Sequence, residues 1–266
     1  MPEKFSSHGT HVSGIIAAEA GNGGLLGVAS GGATDCANGL VDLVVIDAFS
    51  QKTRGRNNNW VPGGTLQDVL FAMGYARDAG CSIINMSLGF DSSDEKLVTY
   101  FNEICNELAS KNDMLIVAAA GNEGLEKKTV PAACDNVLGV ISLTHRQHPS
   151  PSGWKSVDKA SWRTNDAVRS SFSNYGSWCD LCAPGEAIYS SLFVNGKTND
   201  YGYMDGASMA CPIVTAIASM VRAANPNLTA GEASGILCEA ATDLSPVAGR
   251  DNQSGFGAVD AEAAVS

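Results

Sequence analysis

The chain has 266 residues, 44% of them hydrophobic and 17% charged, with 29 glycines, a composition that describes a compact, turn-rich globule and excludes a disordered chain. Its 17 Lys and Arg stand against 28 Asp and Glu, a formal charge of -11 that repels polyanions and removes nucleic acid from the expected partners. No apolar run approaches the roughly 20 residues needed to span a bilayer, and the opening MPEKFSSHG lacks the apolar core of a signal peptide.

In chain order, SSHGTHVSGIIAAEA predicts a helix that opens at His8 and turns Val12, Ile15 and Ile16 inward. LVDLVVI at 40–46 reads as a buried strand, followed by a helix over 65–80 and a strand over 82–88. Residues 94–112 carry Leu97, Val98, Phe101, Ile104, Cys105 and Leu108 at helical spacing, and MLIVAAAG at 114–121 is the next strand. Further strands are expected at 136–143 and 178–185, a long apolar helix at 211–226 and a last helix at 229–241. The polar stretch between Leu143 and Phe172, with Trp154 and Trp162, is too long for an ordinary connection and reads as a surface excursion. Strands alternating with helices imply a three-layer α/β fold, a doubly wound parallel sheet, and no composition shift divides residues 1–266 into more than one domain.

In such sheets the cleft forms beyond the carboxyl ends of the strands. Three loops there hold unusual strings: His8 in SSHGTH, Asn122 in AAAGNEG and Ser208 in DGASMACP. A serine at a helix start sits where unpaired N–H groups and the dipole favour a developing negative charge. With the helix beginning near Ser208, Pro212 falls in its first positions, where the missing N–H forfeits no bond. Each string also has a plainer reading, Ser208 as a helix cap and Asn122 as a turn residue. His8 and His11 are three apart with no glutamate between them, unlike the helical zinc pair, and His11 is read as a packed structural residue. Of the eight cysteines, Cys179 and Cys182 form one CxxC with no second pair to complete a metal site; no metal and no cofactor are expected.

Together, HGTHVSGIIAA, SIINMSLG, IVAAAGNEG, SFSNYGSWCDLCAPG, GASMACP and SGFGAVDAEAA resemble the successive signature blocks of the subtilisin family, in that family's order, from Ser7 to about Ala264. The resemblance implies a subtilisin-like fold and a serine endopeptidase working through an acyl-enzyme on peptide or protein substrates. Ser208 would be the nucleophile, His8 its base, and Asn122 with the Ser208 N–H the oxyanion hole. Ser87, Leu88 and Gly89 would form one edge segment for an extended substrate and Gly63 with Gly64 the other; Ala120, Gly121 and Thr129 would border the pocket before the cut.

The family's catalytic aspartate ends a strand upstream of the histidine, and only seven residues precede His8, none of them aspartate. The single domain is therefore expected to be truncated at its N-terminus, to fold poorly alone and to hydrolyse almost nothing. LVVIDAF imitates the missing strand, but Asp47 follows His8 in order and no Thr/Ser-Gly comes after it; it is expected to be an ordinary strand-end residue. Cys211 and Ile213 replace a small residue and a histidine common in the family, and the loop AGNGGLLG, where the family binds calcium, has only the Asn22 side-chain oxygen to offer. Relatives are commonly exported, but the sequence itself leaves the compartment open. Two rivals are a relative that binds peptides or a protein partner without cutting, and a nucleotide-binding α/β protein, the latter lacking any glycine fingerprint between strand and helix.

Overall fold

The structure, a computed structural model, describes residues 7–30, 41–49, 51–54, 60–63, 65–145, 166–194, 197–245 and 248–266. Its elements are α1 (His8–Ala17), β1 (Gln51–Arg54), β2 (Trp60–Gly63), α2 (Leu66–Asp78), β3 (Ile83–Met86), β4 (Phe90–Asp91), α3 (Glu95–Asn112), β5 (Leu115–Ala119), β6 (Thr129–Val130), β7 (Val137–His145), β8 (Ala167–Arg169), β9 (Leu181–Pro184), β10 (Ile188–Val194), β11 (Lys197–Met204), α4 (Ala207–Ala224), α5 (Ala230–Glu239) and α6 (Ala261–Val265).

The central sheet runs β3-β5-β7 in parallel. β7, its longest strand, bonds β5 along its first half, parallel β9 through its middle and antiparallel β8 at its end. Every residue of β5 is buried, as a strand covered on both faces requires. Leu115, Val117 and Ala119 pack with α4, α5 and α6, while Ile116 and Ala118 pack with Val69, Met73, Phe101 and Cys105 of α2 and α3. This is the three-layer α/β arrangement read from the sequence.

Local chemistry sets the ends of the helices. Thr65 and Asp68 close a reciprocal capping box on α2, and Thr229 and Glu232 do so on α5. Asp94 accepts the Lys96 and Leu97 N–H groups at the start of α3. α4 is 18 residues long and apolar enough by length and composition to cross a membrane, yet it is the core helix, with Ala210, Cys211, Val214, Ala216 and Ala218 fully buried. α1 packs on α4 through Val12, Ile15 and Ile16 against Met209 and Ala216, the inward face expected for it.

Two expectations need correction. Residues 41–47 form no strand or helix, with Leu43, Val44 and Val45 exposed and Ile46 packed against the α2–α3 layer. An apolar run becomes a strand only where it meets a ladder partner, and among the described residues β3 pairs with β5 alone, so 41–47 is not on its free edge. The second concerns Pro212. α4 begins at Ala207, one residue before Ser208, so Pro212 is the sixth helical residue and does forfeit a bond, the one its N–H would have given to the Ser208 carbonyl. The segment with Trp154 and Trp162 lies outside the described residues.

Asp113 joins three helices. It ends α3 in the left-handed region at φ 53°, and its carboxylate accepts the Ala230 N–H of α5 at 2.6 Å and the Arg222 guanidinium of α4 at 2.6 Å. These bonds hold its pKa below the ordinary carboxylate value, the Ala230 N–H contributing most. Asp113→Ala removes both bonds and leaves a Cβ-branchless but non-glycine residue at positive φ, so a loss of about 1–3 kcal/mol is expected, read as a fall in Tm of several degrees in thermal unfolding at pH 7. The wild-type advantage should fade as the carboxylate is protonated below about pH 4, because a group with a depressed native pKa loses its contribution as pH falls.

Candidate active site

Ser208 occupies the first turn of α4, where the chain arrives through Gly206 at φ 153°. An L side chain rarely adopts that angle, and a Cβ there would also lie 3.5 Å from the Asn122 amide nitrogen and from the Ser208 N. The Gly206 N–H donates to the Gly185 carbonyl at 2.7 Å, fixing the turn onto the end of β9.

The Ser208 carbonyl that Pro212 leaves without its helical partner is taken by the Ser87 hydroxyl at 2.8 Å. In return the Ser208 hydroxyl donates to the Ser87 carbonyl at 3.2 Å. The exchange is continued below: Asn85 Nδ2 donates to Ser87 Oγ at 3.0 Å, and Asn85 Oδ1 accepts from Thr215 Oγ1 at 2.9 Å and from Cys211 Sγ at 3.2 Å. Strand β3 and the start of α4 are thus joined by side-chain hydrogen bonds in a largely buried setting. Burial raises the Cys211 thiol to about 12, so it stays protonated and serves as a donor. The position where the family commonly has a small residue therefore carries a second bond to Asn85.

Asn122 follows β5 through Gly121, whose φ of 107° and whose space, bounded at 2.5 Å from a notional Cβ by Asn174 Nδ2, both require glycine. The Asn122 Oδ1 accepts the Ala207 N–H at 2.8 Å. That bond sets the amide's orientation and leaves Nδ2 as its donor end, with no partner among the described residues, beside the Ser208 backbone. The loop itself is held by Asn174, fully buried, which accepts the Glu123 N–H at 3.1 Å and the Leu125 N–H at 3.2 Å and donates to the Glu123 carboxylate at 2.5 Å.

The other expected residues converge only in part. Thr129 is buried and donates to the Ala120 carbonyl at 2.9 Å; its side chain lies near Gly121 and Gly89, and β6 pairs with β4 directly after Ser87, Leu88 and Gly89. Leu88 packs on the α2–α3 layer. Gly63 lies opposite Gln51 in the β1–β2 hairpin, and Gly64 lies outside the described residues. Asp47 is exposed and accepts the Phe49 N–H of its own turn at 3.1 Å. The Asn22 oxygen likewise caps its own loop through the Gly24 and Leu25 N–H groups.

His8 is half-buried at the start of α1, and burial lowers its pKa, which favours the neutral imidazole. Its ring bonds neither Ser208 nor a carboxylate among the described residues. His11 is fully buried, with Nε2 placed 3.0 Å from the Ile188 carbonyl and 3.2 Å from the Gly202 carbonyl, so that nitrogen carries the proton and Nδ1 is left unpaired.

Asn85, Asn174 and Gly206 were not singled out in the sequence. Only the motif strings around them, SIINMSL, SFSNYG and DGASMA, signalled that something there is fixed. A cavity of about 500 Å³ lined by Leu115, Val137, Gly231 and Cys238 opens at the amino ends of the strands, the opposite end from Ser208, and is not this site.

A buried parallel sheet with a serine and an asparagine meeting at the carboxyl ends of its strands is the arrangement of a subtilisin-like α/β protein. The subtilase family model matches residues 2–257, and the chain belongs to that family. It is 33% identical over 227 residues to the thermophilic serine proteinase of Bacillus sp. (strain AK1), covering 85% of this chain and 45% of that protein. It is 31% identical over 260 residues to the halolysin-like extracellular serine protease Nep of Natrialba magadii, covering 98% of this chain and 39% of that protein. The chain thus spans less than half the length of these two relatives. Among solved structures, the psychrophilic subtilisin-like protease Apa1 from the Antarctic psychrotroph Pseudoalteromonas sp. AS-11 superposes with a TM-score of 0.71 at 20% identity, over 100% of this chain and 84% of that one.

Burial also lowers the His11 pKa, chiefly by desolvation, from the ordinary 6.5. The unfolded chain then binds a proton that the folded chain resists, so stability is complete above about pH 6.5 and declines as pH falls through that value. His11→Gln keeps one donor for the two carbonyls and cannot titrate. Its Tm should be lower than wild type at pH 8 and should fall less between pH 7.5 and 5.5, as scanning calorimetry would show.

Proposed function

We propose that this chain is the body of a serine endopeptidase that hydrolyses peptide or protein substrates through an acyl-enzyme. The observation that carries the reading is the turn at Ser208, where the Ala207 N–H fixes the Asn122 amide and leaves its donor end beside the Ser208 N–H. In this role the Ser208 hydroxyl attacks the scissile carbonyl, His8 accepts its proton and returns it to the leaving amine, and Asn122 with the Ser208 N–H receives the negative charge on the carbonyl oxygen. Ser87, Leu88 and Gly89 would bind an extended substrate along one edge, with Gly63 and Gly64 along the other. Ala120, Gly121 and Thr129 would border the pocket for the side chain before the cut.

The lowered pKa of His8 supports its role as a base, since a neutral imidazole is the form that takes a proton. Its orientation needs a carboxylate, and no described residue supplies one. One observation favours a second reading, a relative that binds without cutting: the Ser208 hydroxyl is engaged by the Ser87 carbonyl and not by His8.

Labelling separates the two. A phosphonofluoridate probe should modify Ser208 in the full-length protein, Ser208→Ala should abolish the label, and the rate should hold from pH 8 to 6.5 and decline only at lower pH as His8 is protonated. Label on another serine would overturn the assignment of Ser208, and no label in the full-length protein would favour the binding reading instead.

Asn122→Ala tests the oxyanion role in a form that turns over peptides. A loss in kcat of ~10² to 10³, the magnitude known for subtilisin itself, with little change in KM is expected from steady-state kinetics. A change confined to KM would make Asn122 a substrate-binding residue only.

A further inference from the structure

Cys105 lies on α3 and is fully buried; Cys134 lies in the turn after β6 and is 5% exposed. Both belong to the apolar layer beneath α2 and α3. Two hydrogen bonds clamp the segments together on either side of the pair. The Asp135 N–H donates to Asn102 Oδ1 at 2.8 Å, and Asn136 Nδ2 donates to Asn106 Oδ1 at 2.7 Å. Asn102, Cys105 and Asn106 share one helix face, being three and four residues apart, so the segment that carries Cys134 is held against the face that carries Cys105.

Two of the other buried thiols are committed elsewhere. Cys182 donates to the Ser254 carbonyl at 3.0 Å, and Cys211 donates to Asn85 and to the Val117 carbonyl. Cys105 and Cys134 are free thiols that face the same apolar layer and perturb each other's titration, Cys105 upward and Cys134 downward. Neither thiol has a role in the chemistry proposed above.

We propose that Cys105 and Cys134 are a disulfide site, oxidised as the chain folds in the presence of a small disulfide such as oxidised glutathione. The bond fastens the turn behind the pocket wall at Thr129 and Val130 to the outer helix layer. Cys134 is the attacking sulfur, because it lies in a turn and keeps some exposure while Cys105 on α3 has none. It displaces one glutathione thiolate and forms a mixed disulfide. The deprotonated Cys105 sulfur then attacks the Cys134 sulfur, forms the internal bond and expels the second thiolate. The protein gives up two protons and two electrons, and one small disulfide becomes two thiols.

The site is read without any assay of proteolysis, so its failure leaves the proposed function untouched. Trypsin releases Cys105 in residues 97–111 and Cys134 in residues 129–146, each with a single cysteine. The full chain, refolded in a mixed oxidised and reduced glutathione buffer, is denatured, alkylated with iodoacetamide and digested without reduction. The expected result is a cross-linked species of these two peptides that separates on reduction. Adding a reductant should lower the Tm by roughly 5–12 °C, as loss of a bridge closing a loop of about 30 residues implies, and a Cys105→Ser, Cys134→Ser double variant should show no such redox dependence. Complete alkylation of both peptides after refolding, or a bridge from either to another cysteine, would overturn the proposal.

Discussion

Helix α4 is apolar on almost every side, and the molecule is arranged to keep it dry. The sheet covers one face through Val117, Leu138, Val140 and Leu181, α5 and α6 close another, and α1 lies along a third. A helix this apolar contributes most when fully enclosed, at about 25 cal/mol per Å² removed from water. The enclosure then dictates where the polar end of the helix emerges, and Ser208 stands there. A site at the start of a core helix inherits its rigidity from the core.

That rigidity is completed by hydrogen bonds where packing gives out. Pro212 removes a main-chain donor from the first turns of α4, and an unsatisfied buried carbonyl would cost on the order of 1–3 kcal/mol. The Ser87 hydroxyl answers it, and Asn85 fixes that hydroxyl from below. On the other side Asn174, with no exposed surface, does for the Asn122 loop what Asn85 does for the Ser208 turn. In both places a side-chain amide, fully buried at Asn174 and partly buried at Asn85, holds a loop that has no ladder of its own.

The layers were legible in the sequence because their signal is periodic. Phe101, Cys105 and Leu108 mark α3 at helical spacing, and the run through Leu115 to Ala119 marks a strand buried on both faces. His8, Asn122 and Ser208 were singled out by motif order, which no single string would have supplied, and the structure brings Asn122 to the Ser208 turn through the Ala207 N–H. The run at 40–46 misled because apolar β-branched residues report a willingness to form a strand and say nothing of a partner. Asn85 and Asn174 stayed hidden because an asparagine in a strand or loop looks alike whether it faces water or a buried carbonyl. The effect of Pro212 depended on where α4 begins, because the start of the helix decides whether the Ser208 carbonyl has a helical donor to lose.

The two bonds between Ser87 and Ser208 have a mechanical side. Residues 87–89 are the stretch along which an extended peptide would be gripped, and Ser208 is the group that would strike it. Tied hydroxyl to carbonyl in both directions, grip and striker form one jig. Thermal sway of the outer layers then carries both together, and the distance from anvil to hammer is kept while the frame around them breathes.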